Sequence, residues 1–218
     1  MKFAALVCLL LSSCVIATVP EKPEQRGRIE LLTSTAVKVK VDCDDGSGSG
    51  SGVIISSDLS NKKSAVLTAA HMDEGGNCKI SVVNVNQLEF PAKVVRKSVD
   101  FDLLLLEVEG NPGPVTPVAF DSFVGENVTC VGYPHQRHDG EVHLSVTKGT
   151  IATKFKDVDR ITADMYFGSS GGMCVDDDNA LVGIMIFMYA ESSPFGLPSP
   201  VTGQFFIANA ESINTFLE

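Results

Sequence analysis

The serine set among glycines at Gly168-Ser169-Ser170-Gly171-Gly172 is the stretch best suited to covalent catalysis. Glycines allow a tight turn and a close approach by a substrate backbone. The N–H groups of such a turn can converge on a carbonyl oxygen and hold the charge it gains under attack. A serine hydroxyl is a weak nucleophile until a base removes its proton, and the base works best when a buried carboxylate fixes its tautomer. Both partners are present. Leu67-Thr68-Ala69-Ala70-His71 ends an apolar run on a histidine, and Asp102-Leu103-Leu104-Leu105-Leu106 opens another on an aspartate.

The elements that must position these residues read as strands. Residues 31–41 end in the strict alternation Ala36-Val37-Lys38-Val39-Lys40-Val41, which marks a half-buried strand. Further short apolar runs lie at 53–55, 65–67, 79–85 and 89–95. A second series begins near Val115 and continues through 128–131, 142–155, 160–165, 180–188 and 204–208. Residues 44–52 read as a Gly/Ser loop, and 21–28, with Pro23, as a polar linker. Residues 210–217 alone carry a helical pattern, as a terminal cap. Many short strands at this spacing indicate an all-β sandwich or barrel.

The N-terminus has a different character. Lys2 precedes an apolar run and then small residues, with no acid before residue 20, so 1–19 reads as a secretory signal rather than a membrane anchor. Cleavage after Ala17 is one processing route. The other is lipidation of Cys14, since Leu11-Ser12-Ser13-Cys14 resembles a bacterial lipobox. Either route makes the protein exported, secreted or periplasmic, without a membrane span. The 218 residues are 44% hydrophobic, enough for a substantial core, and the net charge of -10 argues against a nucleic acid partner. Cys43, Cys78, Cys130 and Cys174 remain after signal removal and allow three disulfide connectivities. Cys43 and Cys78 bracket the His71 segment, while Cys130 and Cys174 fall on strands of the second series. The pairing read here is Cys43–Cys78 and Cys130–Cys174, with free buried thiols as the alternative.

Taken in order, Gly50-Ser51-Gly52-Val53, Thr68-Ala69-Ala70-His71, Asp102 with its four leucines, Val131-Gly132-Tyr133-Pro134, Gly168-Ser-Ser-Gly-Gly and Val182-Gly183-Ile184 resemble the trypsin-like, chymotrypsin-fold serine proteases. The short gaps are closest in style to compact bacterial HtrA-type members, here expected without a PDZ domain. The resemblance implies two packed six-stranded antiparallel β-barrels with a short C-terminal helix. The implied division is a signal at 1–19, a linker at 20–30, a first barrel at 31–112, and a second barrel with the terminal helix at 113–218. His71 and Asp102 would come from the first barrel and Ser170 from the second. On this basis Ser170 is the expected nucleophile, His71 the general base and Asp102 its orienting carboxylate, with the N–H groups of Gly168 and Ser170 as oxyanion hole. Asp100 is the rival carboxylate; choosing it would leave charged Asp102 in an apolar strand without a partner. The expected activity is hydrolysis of protein or peptide substrates through an acyl-enzyme, with no cofactor. The alternative is a catalytically silent homologue that binds a partner.

The chain also departs from the family. Ser169 stands where digestive members have an aspartate that pairs with a freed N-terminus, so activation by that ion pair is not expected. Met173 replaces the proline of many relatives. Asp164, six residues before Ser170, matches the pocket aspartate of trypsin and would favour Lys or Arg. Phe187 and Met188 lie on the strand expected to line the pocket, and a bulky Met188 would favour small apolar residues instead. His135, His138 and His143 lack metal-ligand spacing and read as a polar loop, with no metal expected.

Overall fold

The strands that end just before His71 and begin just after Asp102 lie side by side, and that pairing fixes the first half of the molecule. The computed structural model describes residues 23–44, 46–73, 78–135, 142–192 and 198–218. The signal segment, Cys14 and His138 lie outside them. The first barrel comprises β1 (Ala36–Cys43), β2 (Gly46–Asp58), β3 (Lys63–Ala69), β4 (Lys79–Val83), β5 (Glu89–Ser98) and β6 (Leu103–Glu109). It closes in the order β1-β2-β3-β6-β5-β4. The second comprises β7 (Asn127–Gly132), β8 (Ser145–Lys154), β9 (Val158–Ile161), β10 (Met173–Val175), β11 (Leu181–Ser192) and β12 (Pro198–Asn209). It closes in the order β10-β11-β12-β9-β8-β7. All the strand pairings within the two barrels are antiparallel. Helix α1 (Pro23–Thr35) precedes the first barrel, and α2 (Ala210–Leu217), capped by Asn209 accepting from the Ser212 N–H, follows the second. The all-β, two-barrel architecture with a short terminal helix is therefore the one expected.

The unbroken apolar character of β6 has a geometric cause. Successive side chains of a strand point to opposite faces, and here both faces are buried. Leu104, Leu106 and Val108 fill the interior of the first barrel, while Leu103 joins the core shared by the two barrels. In β3 the same division sends Val66 inward and Leu67 and Ala69 to the shared core. That shared core also holds Val131, Tyr133, Met173, Ile184 and Phe216 of the second half. Each fully buried side chain of this size contributes about 1.5–3 kcal/mol to holding the two barrels together.

Both disulfides have the expected pairing, with Cα–Cα separations of 4.2 Å for Cys43–Cys78 and 4.0 Å for Cys130–Cys174. Cys130 and Cys174 face each other directly across the β7–β10 ladder. Their bond closes a loop spanning 44 positions of sequence. Replacing both by alanine is expected to lower unfolding free energy by about 2–4 kcal/mol, because the unfolded chain regains the freedom the loop denied it. Urea denaturation under oxidising conditions checks this, and an unchanged midpoint would contradict it.

Three readings of the elements are corrected. Residues 46–52 are not a loop: they open β2, pairing residue by residue with β1 from Cys43↔Gly46 to Ala36↔Val53. The stretch read as a linker and then a strand start is helix α1. It is anchored by Leu32, only 1% exposed, and by Arg28, which bonds the Asn179 side chain at 2.7 Å and the Asp176 carbonyl at 2.5 Å. The region at Val115 forms no strand and contributes one isolated parallel bridge, Val118↔Leu181.

Candidate active site

His71 sits in a single 3₁₀ turn, Ala70–Asp73, that begins where β3 ends. Ala69 pairs with Leu103, so Asp102 at the head of β6 is brought beside it. The contact is double. The Asp102 Oδ2 lies 2.7 Å from His71 Nδ1, and Oδ1 accepts the His71 backbone N–H at 2.9 Å. The Ala70 N–H donates in turn to the Asp102 carbonyl at 3.0 Å. Asp102 occupies the left-handed region at φ 52, which aspartate tolerates better than most residues, and these bonds hold it there. An ionised carboxylate can only accept, so the proton of a neutral His71 is fixed on Nδ1 and Nε2 carries the lone pair of a base. Lys97 of β5 fastens the turn from below through the carbonyl and carboxylate of Asp73. A cavity of about 420 Å³ opens beside the pair, lined by Ala70, His71, Lys97, Val99 and Asp102. Asp100 is exposed.

The serine turn belongs to the second barrel and is tied to the first through Ser51 of β2. The Ser51 N–H donates to the Ser170 carbonyl at 2.8 Å, and the Ser51 Oγ donates to the Gly168 carbonyl at 2.8 Å. The same Oγ accepts the Tyr133 N–H at 2.8 Å, and the Ser51 carbonyl accepts from Thr68 Oγ1 at 2.7 Å. Thr68 is three residues before His71. Ser51 therefore joins the strand leading to the histidine and the turn carrying Ser170. A methyl added at Gly50 would lie 2.7 Å from Met72 Sδ and 2.9 Å from the Ser170 carbonyl oxygen. The histidine turn and the serine turn thus approach each other with one strand's backbone between them.

The use of N–H groups within the serine turn is selective. Ser169 donates to the Tyr166 carbonyl, Gly171 to the Met185 carbonyl and Gly172 to the Ser169 carbonyl. The N–H groups of Gly168 and Ser170 donate to no acceptor among the described residues. Ser169 itself is buried, and its Oγ accepts from the Tyr166 N–H. Met173, unexplained by sequence, is fully buried behind the turn, where Thr35 and Thr116 donate to its sulfur. Burial pushes the Tyr133 phenol up to about 12, so it stays neutral beside the turn.

Asp164, Phe187 and Met188, the residues expected to shape a substrate pocket, have different surroundings among the described residues. Asp164 borders a void of about 10 Å³ with Ser145 and Thr147 of β8, Ser169 and Met185. Met188 packs against the interior cluster of the second barrel, whereas Phe187 is half-exposed and stacks on Phe206 at 4.4 Å. Sequence reasoning missed Ser51 as the fastener of the turn and His135 as its neighbour. The His135 ring packs against Gly168, and its Nε2 lies 2.9 Å from Ser49 Oγ. The signal for Ser51 was present in the Gly50-Ser51-Gly52 motif, but reading that stretch as a loop concealed its direction.

Comparison with known proteins adds the following. Residues 50–184 match the family model described as the trypsin-like peptidase domain. The chain is 27% identical over 152 residues to Protease Do-like 1, chloroplastic, of Arabidopsis thaliana, covering 65% of this chain and 34% of that protein. It is 29% identical over 135 residues to an uncharacterized protein of Sinorhizobium fredii, covering 57% of this chain and 20% of that one. It thus spans about a third or less of the curated relatives it matches. Among solved structures, the serine endoprotease from Yersinia pestis superposes with a TM-score of 0.71 at 22% identity, over 92% of this chain and 66% of that one. The HtrA-type protease AlgW, solved with a tripeptide, gives 0.70 at 22% identity over 87% and 60%. At that identity the likeness establishes the fold.

Proposed function

The chain belongs to the trypsin-like peptidase family, and on that premise we propose that it is an exported serine endopeptidase acting through Ser170, His71 and Asp102. The observation that carries the reading is the pair of N–H groups at Gly168 and Ser170, which meet no acceptor among the described residues, in a turn fastened beside the His71–Asp102 pair.

In the proposed reaction His71 Nε2 takes the Ser170 proton as Oγ attacks the scissile carbonyl carbon. The carbonyl oxygen becomes an oxyanion and accepts the Gly168 and Ser170 N–H groups, each worth a few kcal/mol of transition-state stabilisation. Asp102 keeps the His71 proton on Nδ1 and stabilises the imidazolium without being protonated itself. The tetrahedral intermediate collapses, the C–N bond breaks, and His71 gives its proton to the departing amine. Water, deprotonated by the same histidine, then attacks the acyl-enzyme and releases the acid and free Ser170. The substrate is a protein or peptide. Two disulfides favour an oxidising compartment and hence export. No helix among the described residues is long and apolar enough to cross a membrane.

Ser170→Ala is the direct test. Hydrolysis of an unfolded protein substrate should fall by about 10⁴-fold or more, as when a triad nucleophile is removed elsewhere. Equal cleavage by parent and variant, both free of contaminating protease, would refute the assignment.

A further inference from the structure

We propose that Ser49 and His135 form a latch between the barrels that positions the Gly168 N–H for oxyanion binding. The inference rests on the serine-peptidase reading above and assigns two residues that the triad does not use. It begins with the composition of β2. Glycine and serine alternate from Gly46 to Gly52, and the two-residue period of a strand puts Ser47, Ser49 and Ser51 on one face. Ser47 is absorbed by its cross-strand neighbour, donating to Asp42 at 2.6 Å. The next two hydroxyls cross to the second barrel. Ser51 holds the Gly168 carbonyl, and Ser49 meets His135 Nε2 at 2.9 Å.

His135 acts on the peptide unit that matters. Its backbone N–H donates to the Phe167 carbonyl at 2.6 Å. The Phe167–Gly168 peptide is trans, so its C=O and N–H point in opposite directions. Holding the carbonyl towards His135 therefore directs the Gly168 N–H away from His135. The ring completes the restraint: a methyl at Gly168 would lie 2.5 Å from His135 Cδ2 and 2.8 Å from the Tyr133 carbonyl, so ring and glycine are already in contact. Rotation of this peptide would lose the His135 bond and turn the Phe167 carbonyl where the N–H should be. The Ser49 bond holds the imidazole, and with it the His135 backbone, against β2. Ser49 and His135 are positioning residues; neither touches the reacting atoms.

The test is Ser49→Ala, with Ser49→Thr and His135→Gln as variants that keep a hydrogen bond across the seam. A short peptide ester gives kcat and KM, a peptide boronic acid gives inhibitor affinity, and thermal unfolding reports stability. Ser49→Ala is expected to lose about 10–100-fold in kcat with KM little changed, a fraction of what removing a donor outright costs. Boronate affinity should fall by a similar factor. Ser49→Thr and His135→Gln should recover most of the loss, at a melting temperature near that of the parent. Parent-like kcat and boronate affinity in Ser49→Ala would overturn the latch while leaving the serine-peptidase reading intact. A parent that neither turns over the ester nor binds the boronate would overturn both.

Discussion

Asp102→Asn is expected to reduce kcat by about 10⁴-fold while leaving the protein folded. Asparagine is close to isosteric, tolerates the left-handed backbone at φ 52, and keeps an oxygen for one of the two bonds to His71. The backbone N–H of His71 can only donate, so it retains the amide oxygen. The NH₂ group is then left facing Nδ1. A donor there favours the proton on Nε2, the atom that must accept from Ser170, and the base is disabled by tautomer rather than by displacement. Thermal unfolding should shift by a few degrees at most. Steady-state kinetics on a peptide ester checks the rate, and activity within tenfold of the parent would remove Asp102 from the proposed mechanism.

The second large effect is structural. Gly171→Ala should destabilise the protein by about 2–5 kcal/mol and silence the site together with it. Gly171 has φ +82, and a methyl there would lie 2.1 Å from both the Ser51 carbonyl oxygen and Thr68 Oγ1. Those two atoms are bonded to each other, so the methyl would enter the hydrogen bond joining the histidine strand to the strand that fastens the serine turn. The left-handed backbone alone costs about 1–2 kcal/mol in a non-glycine residue, and overpacking adds about 1–3 kcal/mol. Gly48→Ala is the control, since a methyl there meets nothing within 4 Å. Urea denaturation should separate the two variants clearly; equal midpoints would mean the seam is softer than its packing indicates.

The parts of the site that lay open in the sequence are those set by covalent neighbourhood. The β3 and β6 runs end and begin on His71 and Asp102, so strand pairing alone juxtaposes them. The glycine turn around Ser170 is a weak signal by itself, since Gly/Ser runs are commonly plain loops, and gains meaning only beside the His71 and Asp102 stretches. Less visible was anything decided across the seam. Residues 46–52 resemble a loop because glycine and serine are poor strand formers in isolation, yet β1 supplies a full ladder of partners. Helix α1 lacks an apolar stripe and carries Gly27 in its middle, so no period announced it; Leu32 and the Arg28 bonds to the far barrel hold it instead. Asp164 stands six residues before Ser170, but chain position does not specify the void it borders. His135 read as one of three histidines in a polar loop, and its contact with Ser49 joins residues 86 positions apart.

The most direct test of the central claim is reaction of the folded, disulfide-bonded protein with a fluorophosphonate, followed by mass-spectrometric mapping of the adduct. The reagent phosphonylates a serine oxygen when a base activates it and N–H donors receive the phosphoryl oxygen, so substrate identity does not enter. A single adduct on Ser170 is expected, absent from Ser170→Ala and strongly slowed in Asp102→Asn. An unlabelled parent, or an adduct that survives Ser170→Ala, would contradict it.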